Sequence, residues 1–519
     1  MVARWLPALV GWCRRLAVFV LLPGCFTALA ATYSFKGPAV MAVFEDGHGL
    51  MPASEYLRGE IPYRDFVPGH GYLGDGGLQV AGLALYENSY RGAVLPARII
   101  GAFYWLVIFL LGFAATGSPS AAFAAVALSF LAFPEYAFLR GLPSIAASAL
   151  AVYAARARSE RAWYCSGLAV ALSLLWAVEF ALYTLPVLFV ALLTARGNRT
   201  RMLRSSVGGL VTGLLALCGI FLGVGVLGEF LETTFLYVPS LLPAYATGPS
   251  RLRGFGMLSF LREKDAFFVA FCCAAAVVLA TRIWRAPVVG PRARGLLPLL
   301  VWVLVAVLSV VERNHVEYAA VLVPLGIVSL VRWLKSHRPW NAPRSVIAAV
   351  ILACGLLVWR PRAFVPTLAV AVAVPAGPHT LASFPELPRG RGAVFSADDA
   401  RIVRSAAEFL KSGALTSSET WFDFSSQPGL YFLFDRDCPI RYSETGFHEA
   451  PERQAEVIDS IDRNRRVKAV LMTASDWSET IDGVPNSVRA PLVAAFVRSR
   501  FRPFYERDGV QFWLRRATE

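Results

Sequence analysis

Charge is scarce in this chain of 519 residues: only 17% are Asp, Glu, Lys or Arg, against about 25% in an ordinary soluble domain. Apolar residues reach 56%, where about 45–50% is usual, and the mean hydropathy is +0.53. Such a chain is too hydrophobic to stay disordered. Eight cysteines are too few for a disulfide scaffold of this length, and 41 glycines without a triplet period exclude a collagen-like rod. There is no CxxC and no His/Cys cluster with zinc spacing. Internal repeats are missing, as are low-complexity tracts outside the apolar runs.

Long apolar runs are what the chain has in abundance. A bilayer core about 30 Å thick is crossed by about 20 apolar residues. Eleven runs reach or approach that length, near 9–31, 94–115, 118–137, 142–156, 162–178, 180–195, 206–227, 265–281, 296–311, 317–334 and 345–360. The stretch 162–195 carries Trp176, Glu179 and Tyr183 near its middle and reads as a hairpin. A single cleaved signal peptide does not account for this pattern.

Arg and Lys in the short loops set the orientation. With the N-terminus in the cytoplasm, the inner loops collect 18 basic residues, from Arg4 to Arg344, against one acid, Glu160. The segment after residue 360 then lies outside. Residues 1–360 hold the whole net charge of +14 and residues 361–519 are neutral. The basicity is therefore a topology signal, and a nucleic-acid partner is not expected. These loops hold no glycine-rich nucleotide-binding turn. The expected fold is an α-helical polytopic membrane protein of about 11 spans (1–377) with a C-terminal α/β extracytoplasmic domain (378–519). Ala400–Leu410 and Glu452–Ile461 have helical spacing, and Lys468–Met472 and Val510–Leu514 look like strands. Cys438 is alone in that domain, so the domain must hold by its own core.

The first outer loop, 34–93, is far longer than most connections, and long loops are usually functional. It carries Glu45-Asp46, His48, Arg64-Asp65 and His70. Adjacent carboxylates raise each other's cost of ionising, and a partly buried one can act as a base. Pro52–Leu57 can form a short helix ended by Gly59, and Pro62 and Pro68 bound an extended stretch. Asp46, His48, Asp65 and His70 could in principle gather round a divalent cation, but their spacing fits no ligand pattern, so no metal or other cofactor is expected. Glu179 lies in an apolar stretch and must face a cavity or a partner. Arg313 and His315 sit in a short polar knot between two spans, Glu312–Tyr318, and are candidates for substrate binding. Leu236–Arg253 reads as an interface segment or a loop covering the site. Asp423, Asp435, Asp437 and His448 are too scattered to name as a site.

The acidic pair after the first span, then Gly59-Glu60-Ile61-Pro62-Tyr63-Arg64-Asp65-Phe66 and Pro68-Gly69, resembles the first periplasmic loop of bacterial GT-C glycosyltransferases. These are relatives of the protein O-mannosyltransferases, and the nearest group is glycosyltransferase family 39 or Rgt-like. Thr420-Trp421-Phe422-Asp423-Phe424-Ser425-Ser426-Gln427-Pro428-Gly429-Leu430-Tyr431-Phe432-Leu433 is similar to a second family segment. The resemblance implies sugar transfer on the outer face of the bacterial inner membrane. It implies a polyprenyl-phosphate sugar donor and a glycan, lipid or protein acceptor. Asp46 is then the first choice for catalytic base and Glu45 the second. His48, Arg64, Asp65, His70, Glu179, Arg313 and His315 are candidates for substrate binding. The alternatives are a transporter or flippase of lipid-linked sugars, or a non-catalytic assembly protein of the same fold.

Overall fold

The computed structural model describes residues 39–119, 139–195, 197–241, 381–473, 480–481 and 484–517, with a few isolated positions besides. Arg313, His315 and the apolar runs from 265 to 360 lie outside the described residues, as does most of the runs 9–31 and 118–137. Strand β1 (Ala39–Met41) leads to α1 (Gly47–Leu57), α2 (Leu78–Leu85), the long α3 (Tyr90–Thr116), α4 (Leu142–Ala157), α5 (Glu160–Trp176), α6 (Val178–Thr194) and α7 (Arg199–Val224). The C-terminal part holds β2 (Ala393–Phe395), α8 (Ala397–Lys411), β3 (Thr420–Asp423), α9 (Gly429–Leu433), α10 (Pro451–Arg463) and β4 (Val467–Thr473). It continues with β5 (Thr480–Ile481), β6 (Val484–Pro485), α11 (Pro491–Arg500), β7 (Phe501–Arg507) and β8 (Val510–Arg515).

The protein is mostly helical with a small sheet region. Among the described residues two helices are long and apolar enough to cross a membrane, Tyr90–Ala114 and Arg199–Val224, which points to membrane association. The chain divides into two compact units. One comprises Met1–Gly37, Arg98–Cys218 and Phe255–Gly377; the other comprises Pro38–Ala97, Gly219–Gly254 and Pro378–Glu519. Packing thus groups the first loop with the C-terminal segment, where the sequence division at 377 separates them.

In the first unit, α5 and α6 are distinct helices because Ala177 is extended (φ −161°, ψ 107°). They pack on α4 and on each other. Small residues let backbones meet. A Cβ on Gly167 would sit 2.0 Å from the Ser206 carbonyl oxygen, and one on Gly209 would sit 1.9 Å from that of Tyr164. The Ser166 hydroxyl donates to the Ala147 carbonyl at 2.9 Å. Arg156 donates to the Phe113 and Ala114 carbonyls at the end of α3, where a cation suits the helix dipole.

In the second unit the sheet order is β3-β4-β8-β7. The β3–β4 pair is parallel, and β4–β8 and β7–β8 are antiparallel. Side chains alternate across this sheet. Trp421, Ala469, Leu471 and Phe512 enter one apolar cluster with Phe409 of α8. Phe422, Val470 and Trp513 enter the other, with Val457 of α10 and Val497 of α11. Phe409 stacks on Phe512 at 3.9 Å. The first cluster also contains Met41, Val43, Leu50, Met51, Leu83 and Tyr90 from the first loop. β1 pairs in parallel with β2, Ala39 opposite Ala393. The C-terminal core is therefore shared with the loop.

Candidate active site

The acidic pair lies at the turn from β1 into α1. Helix α1 begins at Gly47, earlier than the Pro52 start read from the sequence. Two glycines and a histidine make a poor helix start by propensity, but packing requires them. A Cβ on Gly47 would lie 2.3 Å from the Gly429 nitrogen, and one on Gly429 would lie 2.5 Å from the Val43 oxygen. The Gly429 N–H donates to that Val43 oxygen at 3.0 Å. The first loop and Thr420–Leu433 thus meet backbone to backbone.

Glu45 is exposed and Asp46 is half-buried. The Asp46 carboxylate turns back from its helix: Oδ2 accepts the Ala42 N–H at 2.9 Å and the Tyr90 hydroxyl at 2.9 Å. Burial raises the Asp46 pKa to about 6; the Ala42 and Tyr90 hydrogen bonds oppose that rise, and the charges of Glu45 and Asp399 add to it. Val43 N–H donates to Asp399 Oδ1 at 3.2 Å, which anchors the turn to the N-terminus of α8.

His48 is buried in the first turn of α1, and its Nε2 lies 3.2 Å from Glu444 Oε2. Burial pulls its pKa down, but the Glu444 charge and hydrogen bond, with help from Glu45 and Asp75, leave it above the usual value. The ring stacks on His70 with centroids 6.1 Å apart, and Phe44 meets it edge-on at 4.8 Å. His70 Nδ1 is 3.1 Å from Asp75 Oδ2, which also accepts the His70 backbone N–H. Each histidine therefore has its own carboxylate, and Phe447 borders both rings.

Arg64 and Asp65 do not join this group by any contact among the described residues. Pro62–Pro68 is not extended, as the prolines suggested. Tyr63 takes φ +70°, and the Asp65 carboxylate accepts the Ile61 N–H at 2.8 Å, which curls the segment into a turn. Exposed Arg64 pairs with Asp65 at 2.8 Å and holds its carboxyl down at about 2. Glu179 is buried at the start of α6, in the other unit. Among the described residues its Oε1 has no hydrogen-bond partner. No three His, Cys, Asp or Glu side chains among the described residues converge in a metal-holding group.

No family model matches the chain, and no curated protein is significantly similar to it.

The sequence pattern missed several members of this neighbourhood. Glu444 is remote in the chain and carries no local signal. Tyr90, just ahead of an apolar run, is not marked by any motif. Asp75 sat in view, five residues after His70 in a glycine-rich turn. Asp435 and Asp437, scattered in the sequence, converge on Arg58 at 2.7 and 3.3 Å. Arg58 also binds Glu55 at 2.7 Å, which accepts the Cys438 N–H at 3.0 Å. Burial raises Glu55 to about 7 against the pull of Arg58. This cluster fastens α1 to the C-terminal segment. Asp423 caps a turn through Ser425, and His448 is buried. Of Leu236–Arg253, Tyr237 enters the core: its hydroxyl donates to the Phe447 carbonyl, and Arg453 covers its ring at 4.2 Å.

Proposed function

We propose that the protein is a membrane glycosyltransferase of the bacterial inner membrane, transferring a sugar from a polyprenyl-phosphate donor to an acceptor on the extracytoplasmic face. In this reading the chain has about 11 spans, a cytoplasmic N-terminus and an extracytoplasmic C-terminal segment. The resemblance of Glu45–Phe66 to the first loop of GT-C enzymes supports it. The observation that carries it is the state of Asp46. One carboxylate oxygen is held by two donors, and Oδ1 has no hydrogen-bond partner among the described residues. Its pKa, raised to about 6 by burial, suits a base that works near neutrality.

The chemistry balances simply. The acceptor hydroxyl oxygen bonds to the anomeric carbon, its proton passes to Asp46 Oδ1, and the bond from that carbon to the phosphate oxygen breaks. The sugar passes through oxocarbenium character, as in glycoside hydrolysis, and polyprenyl phosphate leaves. Glu45, exposed beside the base, adds negative charge facing that cation. His70, oriented through Nδ1 by Asp75, leaves Nε2 for a phosphate oxygen or sugar hydroxyl. Glu444 favours the protonated form of His48.

The test uses membranes or proteoliposomes supplied with polyprenyl-phosphate sugars. Asp46→Asn is expected to lower donor consumption by about 10²-fold or more, within the range of general-base catalysis, while the protein still inserts. Full turnover in that variant, or solute uptake into vesicles without donor turnover, would overturn the proposal.

A further inference from the structure

Tyr90 begins the long apolar helix α3, yet its ring is buried in the second unit's core. Its hydroxyl is the only side-chain donor given to Asp46 among the described residues. That hydroxyl has one proton and, among the described residues, two acceptors in reach: Asp46 Oδ2 at 2.9 Å and the Val40 carbonyl oxygen of β1 at 3.1 Å. A tyrosine hydroxyl can donate to only one of them at a time. Its backbone N–H donates to the Arg389 carbonyl at 3.0 Å, so the C-terminal segment fixes where the ring stands.

We propose that Tyr90 is a positioning residue for the Asp46 carboxylate, switching its single proton between Asp46 and the Val40 carbonyl as Asp46 loses and gains its own. The inference rests on the role given to Asp46 above. With Asp46 ionised, the proton goes to Oδ2, since a hydrogen bond to a charged acceptor is roughly twice as strong as a neutral one. With Asp46 protonated, the Val40 oxygen takes it. Neither state leaves the buried hydroxyl without an acceptor, which avoids the cost of an unmade hydrogen bond. The carboxylate keeps its orientation through both states because the Ala42 N–H stays on the same oxygen. The charged groups acting on Asp46 are Glu45, from its own turn, and Asp399, from the N-terminus of α8; both favour the protonated form. Tyr90 and the Ala42 N–H oppose them.

The full-length protein in detergent gives a readout that does not depend on turnover. Carbodiimide coupling to Asp46, followed across pH by peptide mass spectrometry, reports the midpoint of its ionisation. Tyr90→Phe keeps the ring and removes the proton. The midpoint should rise by about one pH unit, the size expected for one hydrogen bond to a charged group. The acid limb of kcat/KM for donor turnover should rise with it. A fluorinated tyrosine placed at position 90, a stronger donor of the same shape, should move both in the opposite direction and covers the case of a misfolded Phe variant. An unmoved labelling midpoint in both variants overturns the inference. A moved midpoint with an unmoved turnover profile instead overturns Asp46 as the base, and with it the proposed function.

Discussion

Two buried residues from opposite ends of the chain, His48 and Glu444, form an ion pair that no local sequence rule reveals. Their titration has a definite sign. Because the folded His48 pKa lies above 6.5, the pair stabilises the fold fully below that pH. The stabilisation is lost as pH rises through the folded value. Glu444→Gln should therefore lower the thermal midpoint at pH 6 and flatten its decline above pH 6.5. Melting curves of both proteins from pH 5.5 to 8.5 check this, and parallel curves would refute it. The candidate residues themselves were legible because His, Asp and Glu are conspicuous in an apolar chain. Which of them interact was not. Arg64 and Asp65 looked like site residues by type, and the structure joins them to each other through a turn. Tyr90 was not singled out, because its hydroxyl partner is 44 positions upstream.

Elements with a clear period were legible from the sequence nearly to their ends. Lys468–Met472 became β4, Val467–Thr473, and Val510–Leu514 became β8, because a strand covered on both faces reads as a short apolar run bounded by polar residues. Ala400–Leu410 became α8, whose start is set by Ser396 accepting the Asp399 N–H. Strands β1 and β2 were not legible: three residues carry no period, and each needs the other. Helix α1 was read too short because its first turn exists for packing rather than propensity. Gly47→Ala tests that reason. A Cβ there meets the Gly429 backbone, which cannot rotate aside, so a loss of about 1–3 kcal/mol is expected. Gly228, with nothing within 4 Å of its Cβ position, is the control; Gly228→Ala should be neutral or slightly stabilising. Denaturant unfolding of the two variants separates them, and equal effects would remove the packing argument.

At the scale of the molecule, composition signalled a mostly helical chain with helices long and apolar enough to cross a membrane, of which two stand among the described residues, and the acidic first loop stood out by length alone. Chain order concealed the grouping of that loop with the C-terminal segment. The shared core makes a direct test possible. Residues 378–519 expressed alone lack Met41, Leu50, Met51 and Tyr90 from their apolar cluster. Amides of α8 and α9 should then exchange faster than in a fusion carrying residues 38–97, since local opening follows lost apolar contacts. Equal protection in the two proteins would show that the C-terminal core is self-sufficient.

The pairing of β1 with β2 also dictates a timetable. A ribosome that has finished Ala39 must add about 350 further residues before Ala393 exists, roughly 20–70 s at ordinary elongation rates. During that interval the turn bearing Asp46 has no strand beside it, no Asp399 to hold Val43 and no Gly429 against Gly47. The turn bearing Asp46 is thus incomplete until the last quarter of the chain is made, and Met41, Leu50 and Met51 wait until then for the apolar partners they bury against.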